Sequence, residues 1–282
     1  MSDFYRFYKE RFKLFIKNNF NNIYKTKNKD VLEIQNINRK FLNSVPSFIS
    51  EEIYSKNNYG IPPGIYKNIN KEISNAITYT DLISFLAYKL FNKKINYLET
   101  GVSILKNFLQ INNFLENSKM YSYEIEKINP IFKHLFKEVE KNYYVHDSLN
   151  LMNYFEGDLM NRLDNESFNE KIKEIKFDIV FSDAHHQPWS LIWEYKKIIK
   201  PNLNKNFLIY FDDADFPGMT EAIKEVRDDL KKINKKIYSV SFYVNGWIGQ
   251  YEKMHKNIII STFDIENIFK KEKIKLFKLE KL

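Results

Sequence analysis

Cysteine is absent from the 282 residues. That excludes a disulfide framework and any zinc or iron–sulfur centre held by thiolates. It also fits a reducing compartment. Glycine and proline are scarce, seven of each. Four of these fall close together, at Gly60, Pro62, Pro63 and Gly64, so residues 57–64 read as a loop. Arginine is rare among the 44 basic residues, occurring only at Arg6, Arg11, Arg39, Arg162 and Arg227. No window approaches the roughly 18 apolar residues that a spanning helix needs, so no membrane partner is expected. The first seventeen residues are interrupted by Asp3, Arg6, Lys9, Glu10, Arg11 and Lys13, and no signal peptide is read there. The expected location is cytoplasmic.

What is present is apolar and aromatic, 44% and 16% of the chain, enough to bury a sizeable core. The net charge is +8. A basic balance can serve nucleic acid or an anionic surface. Here it is carried by lysine in a chain crowded with Asn and Ile, the pattern of an AT-rich coding sequence, whereas base and phosphate recognition leans on the arginine fork. Nucleic acid is therefore the weaker expectation.

Two regions differ in grammar. Residues 1–93 read as a helical N-terminal extension, with Phe4, Phe7, Tyr8, Phe12, Phe15 and Ile16 forming a stripe at helical spacing. A second helix over 73–90 would bury Ile77, Leu82, Ile83, Phe85, Leu86 and Leu90. The extension is expected to be a lid or a homodimer contact. From residue 94 to 282, short apolar runs alternate with helical patterns. The runs lie at 95–98, 120–123, 143–146, 177–182, 207–211, 237–243 and 257–261, and the helices at 104–115, 130–139, 189–199 and 219–233. This alternation predicts an α/β fold: a Rossmann-like, doubly wound, mainly parallel seven-stranded sheet with helices on both faces. Ligands in such sheets bind beyond the carboxyl ends of the strands.

The residues after each run are thus the candidates. The first run ends in Glu99-Thr100-Gly101-Val102-Ser103, a strand-to-helix turn where Gly101 lets backbone approach a ligand. The second ends in Glu124, placed to accept hydrogen bonds from a ribose. The third ends in Asp147-Ser148, which can meet a base edge or cap a helix. The fourth ends in Asp183-Ala184-His185-His186, and the fifth in Asp212-Asp213-Ala214-Asp215. Carboxylates of Asp183, Asp212 and Asp213 meeting at one rim repel unless a cation neutralises them. Oxygen ligands of this kind suit Mg²⁺. His185 or His186 titrates near neutrality and can deprotonate a hydroxyl. Residues 245–252, with Gly246, Trp247 and Gly249, followed by His255, suit a loop shaping an acceptor pocket or a surface hairpin. His134 sits in a helical pattern between Lys133 and Lys137 and reads as exposed.

These strand ends resemble those of class I S-adenosylmethionine-dependent methyltransferases. Tyr97-Leu98-Glu99-Thr100-Gly101 is similar to the family's acid-x-Gly turn, and Tyr123-Glu124 to its ribose-binding acid. Residues 177–183 and 207–213 resemble its fourth and fifth strands. The likeness spans about residues 95–261. Within the family the chain resembles metal-dependent O-methyltransferases of the catechol type, through Asp183, the Asp212-Asp213 pair and Phe216-Pro217-Gly218. The resemblance implies S-adenosylmethionine at Glu99, Gly101, Ser103, Glu124, Asp147, Ser148 and Asp183, with Mg²⁺ or a similar cation at Asp183, Asp212 and Asp213. The family's lysine base falls at His186 here, and its further glycines at Ser103-Ile104-Leu105-Lys106. The expected reaction is methyl transfer to a small hydroxylated acceptor: a sugar, a polyol or an aromatic diol. The alternatives are a metal-independent methyltransferase with a histidine base, a basic nucleic-acid-binding or -modifying protein, and a degenerate cofactor fold acting as a partner subunit.

Overall fold

The computed structural model describes residues 26–44, 77–102, 105–115, 118–125, 136–139, 142–145, 152–246 and 254–282. In chain order its elements begin with helices α1 (Lys29–Ser44) and α2 (Tyr79–Phe91), strand β1 (Asn96–Thr100), helix α3 (Lys106–Phe114) and strand β2 (Lys119–Glu124). Then come β3 (Phe136–Val139), β4 (Asn142–Val145), β5 (Met152–Glu156), α4 (Arg162–Ile172), β6 (Phe177–Ser182) and α5 (Pro188–Glu194). After α5 the chain passes through a π-helix (Tyr195–Ile199) into β7 (Leu203–Phe211) and α6 (Met219–Ile233). It closes with β8 (Tyr238–Asn245), β9 (Met254–Ser261), α7 (Ile265–Lys271) and β10 (Phe277–Lys281).

Eight strands form one sheet in the order β10-β8-β9-β7-β6-β1-β2-β5. The five from β7 to β5 are mutually parallel, and β9 enters antiparallel between β7 and β8. This is the expected Rossmann-like architecture with one strand more. The added strand, β10, pairs antiparallel with β8 at the edge. Its sequence Phe277-Lys278-Leu279-Glu280-Lys281 carries a charge at nearly every second position, which marks an edge and hides the strand from a search for apolar runs.

The parallel strands are continuously apolar because they bury both faces. Period-two alternation divides each run between two cores. Ile179, Phe181, Leu208, Tyr210 and Ile259 pack with α1, α2, α3 and α7 on one face. Val180, Ile209, Phe211, Ile258 and Ile260 pack with α4, α5 and α6 on the other.

Helix α2 belongs to the first core. Ile77, Leu82, Ile83, Phe85 and Leu86 are buried as expected. Its start is fixed by a capping box between Thr78 and Asp81. Asp81 is fully buried and holds α1 down, accepting from Arg39 at 2.8 and 2.9 Å and from Asn38 at 3.0 Å. Residues 77–91 thus pack on the sheet, through Tyr79 against Phe181 and Tyr210, and α1 packs on α2 and α3. The stripe at residues 4–16 and the loop at 57–64 lie outside the described residues.

One strand assignment is corrected. The run at 143–146 does not enter the main sheet: β4 pairs with β3 in a separate two-stranded hairpin. Residues 136–139, expected as the end of a helix, are the other strand of that hairpin. The third parallel strand is β5, in register with β2 from Met120↔Met152 to Glu124↔Glu156. Two apolar runs lay close together, and only pairing distinguished the one that β2 accepts.

Candidate functional site

Crossovers from β1 and β6 leave in opposite directions, so the crevice of this sheet opens between their carboxyl ends. At that point Gly101 has φ +77°, and a Cβ there would stand 2.4 Å from the Asp183 carbonyl oxygen. The Asp183 amide in turn donates to the Thr100 carbonyl at 3.0 Å. The glycine is needed, and the backbone it admits is that of the β6 loop.

Glu99 and Thr100 point to opposite faces of β1. Glu99 is 1% exposed. Its Oε2 accepts from the Tyr97 hydroxyl at 2.6 Å and from Asn107 Nδ2 at 2.8 Å. The Asn107 amide is oriented by Thr80, whose hydroxyl donates to Oδ1 at 2.7 Å. Burial pushes the Glu99 carboxyl well above its usual range, against the Tyr97 bond, and the charges of Asp183 and Glu124 add to the rise. Strand register sets Glu99, Glu124 and Asp183 at adjacent strand ends. Glu124, at the end of β2, accepts from the Ile125 amide at 2.9 Å.

On the other face Thr100 donates to Glu194 Oε1 at 2.6 Å, and Ser182 donates to Oε2 at 2.9 Å. One buried carboxyl thus ties the last hydroxyls of β1 and β6 together. Burial raises it to about 7, against those two hydrogen bonds. Glu194 escaped the sequence reading, yet a signal was present. It occupies the apolar stripe Leu191, Glu194, Tyr195, Ile198, where a charged residue is out of place.

The third constellation lies at the ends of β6, β7 and β9. Asp213 adopts φ +47°, a left-handed conformation that Asp tolerates better than most residues. That turn lets consecutive carboxylates serve one site. Asp212, 4% exposed, is gripped at Oδ1 by Asn257 Nδ2 at 2.6 Å, and Asn257 accepts from Tyr210 at 2.5 Å. His255 Nδ1 lies 2.8 Å from Asp213 Oδ1 and 3.5 Å from Asp212 Oδ2. His186 stands between the other pair, with Nε2 3.0 Å from Asp183 and Nδ1 3.5 Å from Asp213. The order is Asp183, His186, Asp213, His255, Asp212. Burial draws the His186 proton affinity down, but Asp183, Asp213 and Asp212 outweigh it and raise the ring to about 9. Burial and the Asp212 charge raise the Asp183 carboxyl, opposed by His186.

Asp183, Asp212, Asp213 and His186 are thus brought together. His185 turns outward and meets Trp189 edge-on at 5.7 Å. Asn257, Tyr210, Asn107 and Glu194 complete the site and were not anticipated. Ser103, Asp147, Ser148, His134 and residues 247–253 lie outside the described residues. Because β5 is the third sheet strand, the residues that follow it are Gly157 and Asp158, and Asp147-Ser148 follow the hairpin strand. A divalent cation fits the donor set. The ligand atoms of Asp212, Asp213 and His255 all lie within 4.8 Å of one another, and two carboxylates match its charge.

No protein-family model matches the chain, and no curated relative does. Among solved structures it is similar to an O-methyltransferase from Bacillus cereus in complex with SAH, at 14% identity and TM-score 0.44, over 84% of this chain and 91% of that one. A putative O-methyltransferase from Klebsiella pneumoniae matches at 13% identity and TM-score 0.43, over 79% and 94%. A putative class I S-adenosylmethionine-dependent methyltransferase from Listeria monocytogenes matches at 12% and 0.44, over 83% and 69%. Likenesses at TM-scores below 0.5 do not establish kinship, and the functional reading rests on the geometry of the crevice.

Proposed function

We propose that the chain transfers the methyl group of S-adenosylmethionine to a small hydroxylated acceptor, assisted by a divalent cation. One observation carries the reading: acids from four parallel strands, Glu99, Glu124, Asp183 and the Asp212-Asp213 pair, meet at the carboxyl edge around the β1–β6 crevice. Glu99, Gly101, Glu124 and Asp183 line the cofactor side, with Ser103, Asp147 and Ser148 proposed to join them. Asp183, Asp212 and Asp213 would hold Mg²⁺ or a similar ion at the acceptor side. A bound dication would supply positive charge, which acidifies an acceptor hydroxyl and loosens the carboxylates' hold on the His186 proton.

The chain's own residues do the rest. The Glu99 and Glu194 networks fix the crevice, so that two reactants are held in line. His186, oriented by Asp183, would receive the hydroxyl proton; His185 stands behind it as the second candidate. The oxygen–methyl bond forms as the sulfur–methyl bond breaks, and S-adenosylhomocysteine leaves. Acceptors presenting hydroxyl oxygens to an acidic rim include a sugar, a polyol and an aromatic diol. In residues 1–93, the parts beyond α1 and α2 are proposed as a lid or a dimer contact beside the 94–282 domain.

A second reading, methyl transfer without metal, is motivated by the 3.0 Å Asp183–His186 pair, with the ring acting as base once it has given up the proton that the three acids hold. Calorimetry with S-adenosylmethionine and S-adenosylhomocysteine, with and without Mg²⁺, tests the cofactor directly. Absence of binding to either compound sinks both readings. Transfer that survives EDTA removes the metal and leaves the second reading; transfer that survives in both Asp183→Ala and Asp212→Ala removes the metal and the Asp183–His186 pair together.

A further inference from the structure

We propose that His255 is itself a ligand of the divalent cation, and that its nitrogen turns the site toward first-row transition ions and away from Mg²⁺. The inference rests on the cation-assisted reading above and specifies the ion.

The placement follows from the sheet. Strand β9 runs antiparallel to β7, with Phe211 opposite Ile258, so the start of β9 lies beside the residues that follow β7. The Ala214 amide donates to the Lys256 carbonyl at 2.7 Å and closes that corner. His255 therefore arrives at the acid pair from a strand far away in sequence. Its ring is directed: Nε2 lies beside Gly246, where a Cβ would stand 3.5 Å away, and Nδ1 faces the two carboxylates. Asn257 occupies Asp212 Oδ1, which leaves Oδ2 as the oxygen toward His255. Tyr210 behind Asn257 completes an outer layer of the kind that orients metal-binding carboxylates.

Chemistry then selects the ion. Mg²⁺ favours all-oxygen, largely hydrated octahedra. A donor set of two carboxylates and one imidazole favours iron(II), cobalt, nickel or zinc, and affinity rises from iron(II) to nickel. Asp183 stands outside this close group, with His186 between it and Asp213. The centre accordingly sits on the β7–β9 edge.

Mn²⁺ is the probe for the full-length chain, since it reports nitrogen ligation by pulsed electron paramagnetic resonance. The bound ion should show ¹⁴N modulation in the unmodified protein and in His186→Gln, and lose it in His255→Gln. Mg²⁺ should displace Mn²⁺ only at large excess, and His255→Gln should weaken Mn²⁺ by at least about tenfold while weakening Mg²⁺ far less. Bound Mn²⁺ without ¹⁴N modulation in the unmodified protein overturns the inference and leaves a cation-assisted transferase standing. So does modulation that disappears with His186 and persists without His255. If Mn²⁺ does not bind while S-adenosylhomocysteine does, the inference falls together with the cation, and the metal-free reading remains. Intact ¹⁴N modulation without S-adenosylhomocysteine binding supports the ligand assignment and removes methyl transfer. Because the first arm needs no variant, a misfolded His255→Gln leaves it decisive.

Discussion

Carboxyl groups are buried in two places at the same sheet edge, and the surroundings treat them differently. At the β1–β6 crevice, Glu99 and Glu194 are met by neutral donors: the hydroxyls of Tyr97, Thr100 and Ser182 and the amide of Asn107. Burial then wins, and both carboxyls are pushed up. At the β7–β9 rim, Asp212 and Asp213 are met by imidazoles and lie beside Asp183. Like charges this close need positive charge. The contrast teaches that one edge separates two tasks: a nearly neutral framework that shapes the crevice, and a charged rim that can bind a cation and move a proton.

Removing charge from the rim should have the largest effect. Asp212→Asn keeps the shape and the contact with Asn257 but withdraws one unit of negative charge. With several kcal/mol of metal assistance lost, methyl transfer should fall roughly 1000-fold. The thermal midpoint should hold or rise, because one of three crowded acids is gone. Initial rates beside a melting curve decide this. A rate near that of the unmodified chain means that the rim is structural and that the comparison between the two regions is wrong.

Glu194 gives the next effect, and it appears in stability. Its folded carboxyl titrates near 7, against an ordinary value of 4.5. A raised value means that the folded state holds the proton more tightly than the unfolded chain. The associated stability is complete below about pH 4.5 and is lost as pH rises through 7. Glu194→Gln lacks that loss. The variant should therefore gain on the unmodified protein across this window, by about 3 kcal/mol once above it. Urea midpoints at pH 4.5, 6 and 8 measure the difference. A constant gap would mean that Glu194 is ionised throughout, and that the crevice is no more neutral than the rim.

How much of this was legible differs between the two regions for a physical reason. The rim acids follow apolar strands directly, and strand order brings such ends together, so Asp183, Asp212 and Asp213 could be read from the chain. The same rule selected the wrong third strand. Residues 143–146 and 152–156 both look like strands, and only pairing with β2 separates them. The rule also gave no weight to β10, whose alternating charges suit an edge. The neutral framework was legible only in part: Glu99 follows the strand-end rule, but its helix-borne members do not. Thr80, Asn107 and Glu194 meet the strands only after α2, α3 and α5 dock. His255 was visible as a residue but not as part of the rim, since β9's antiparallel entry beside β7 decides that.

The smallest expected effect separates the regions most sharply. Asn107 reaches Glu99 Oε2 from α3, and its amide is fixed by Thr80 from α2. A hydrogen bond to a neutral carboxyl contributes about 0.5–1.5 kcal/mol, part of which the Tyr97 hydroxyl retains when Asn107 is removed. Asn107→Ala should therefore weaken S-adenosylhomocysteine by roughly threefold, with Mn²⁺ affinity at the rim unchanged. Thr80→Val, which only frees the amide to turn, should do the same more weakly, and Thr80→Ser should restore binding. A merely structural role would lower the melting point and weaken both ligands together. Loss confined to the adenosyl ligand, with Mn²⁺ held normally, is the outcome that keeps the framework and the rim as separate devices. Equal loss of both ligands would join them into a single cooperative unit, reaching from α2 through Glu99 to the β7–β9 edge.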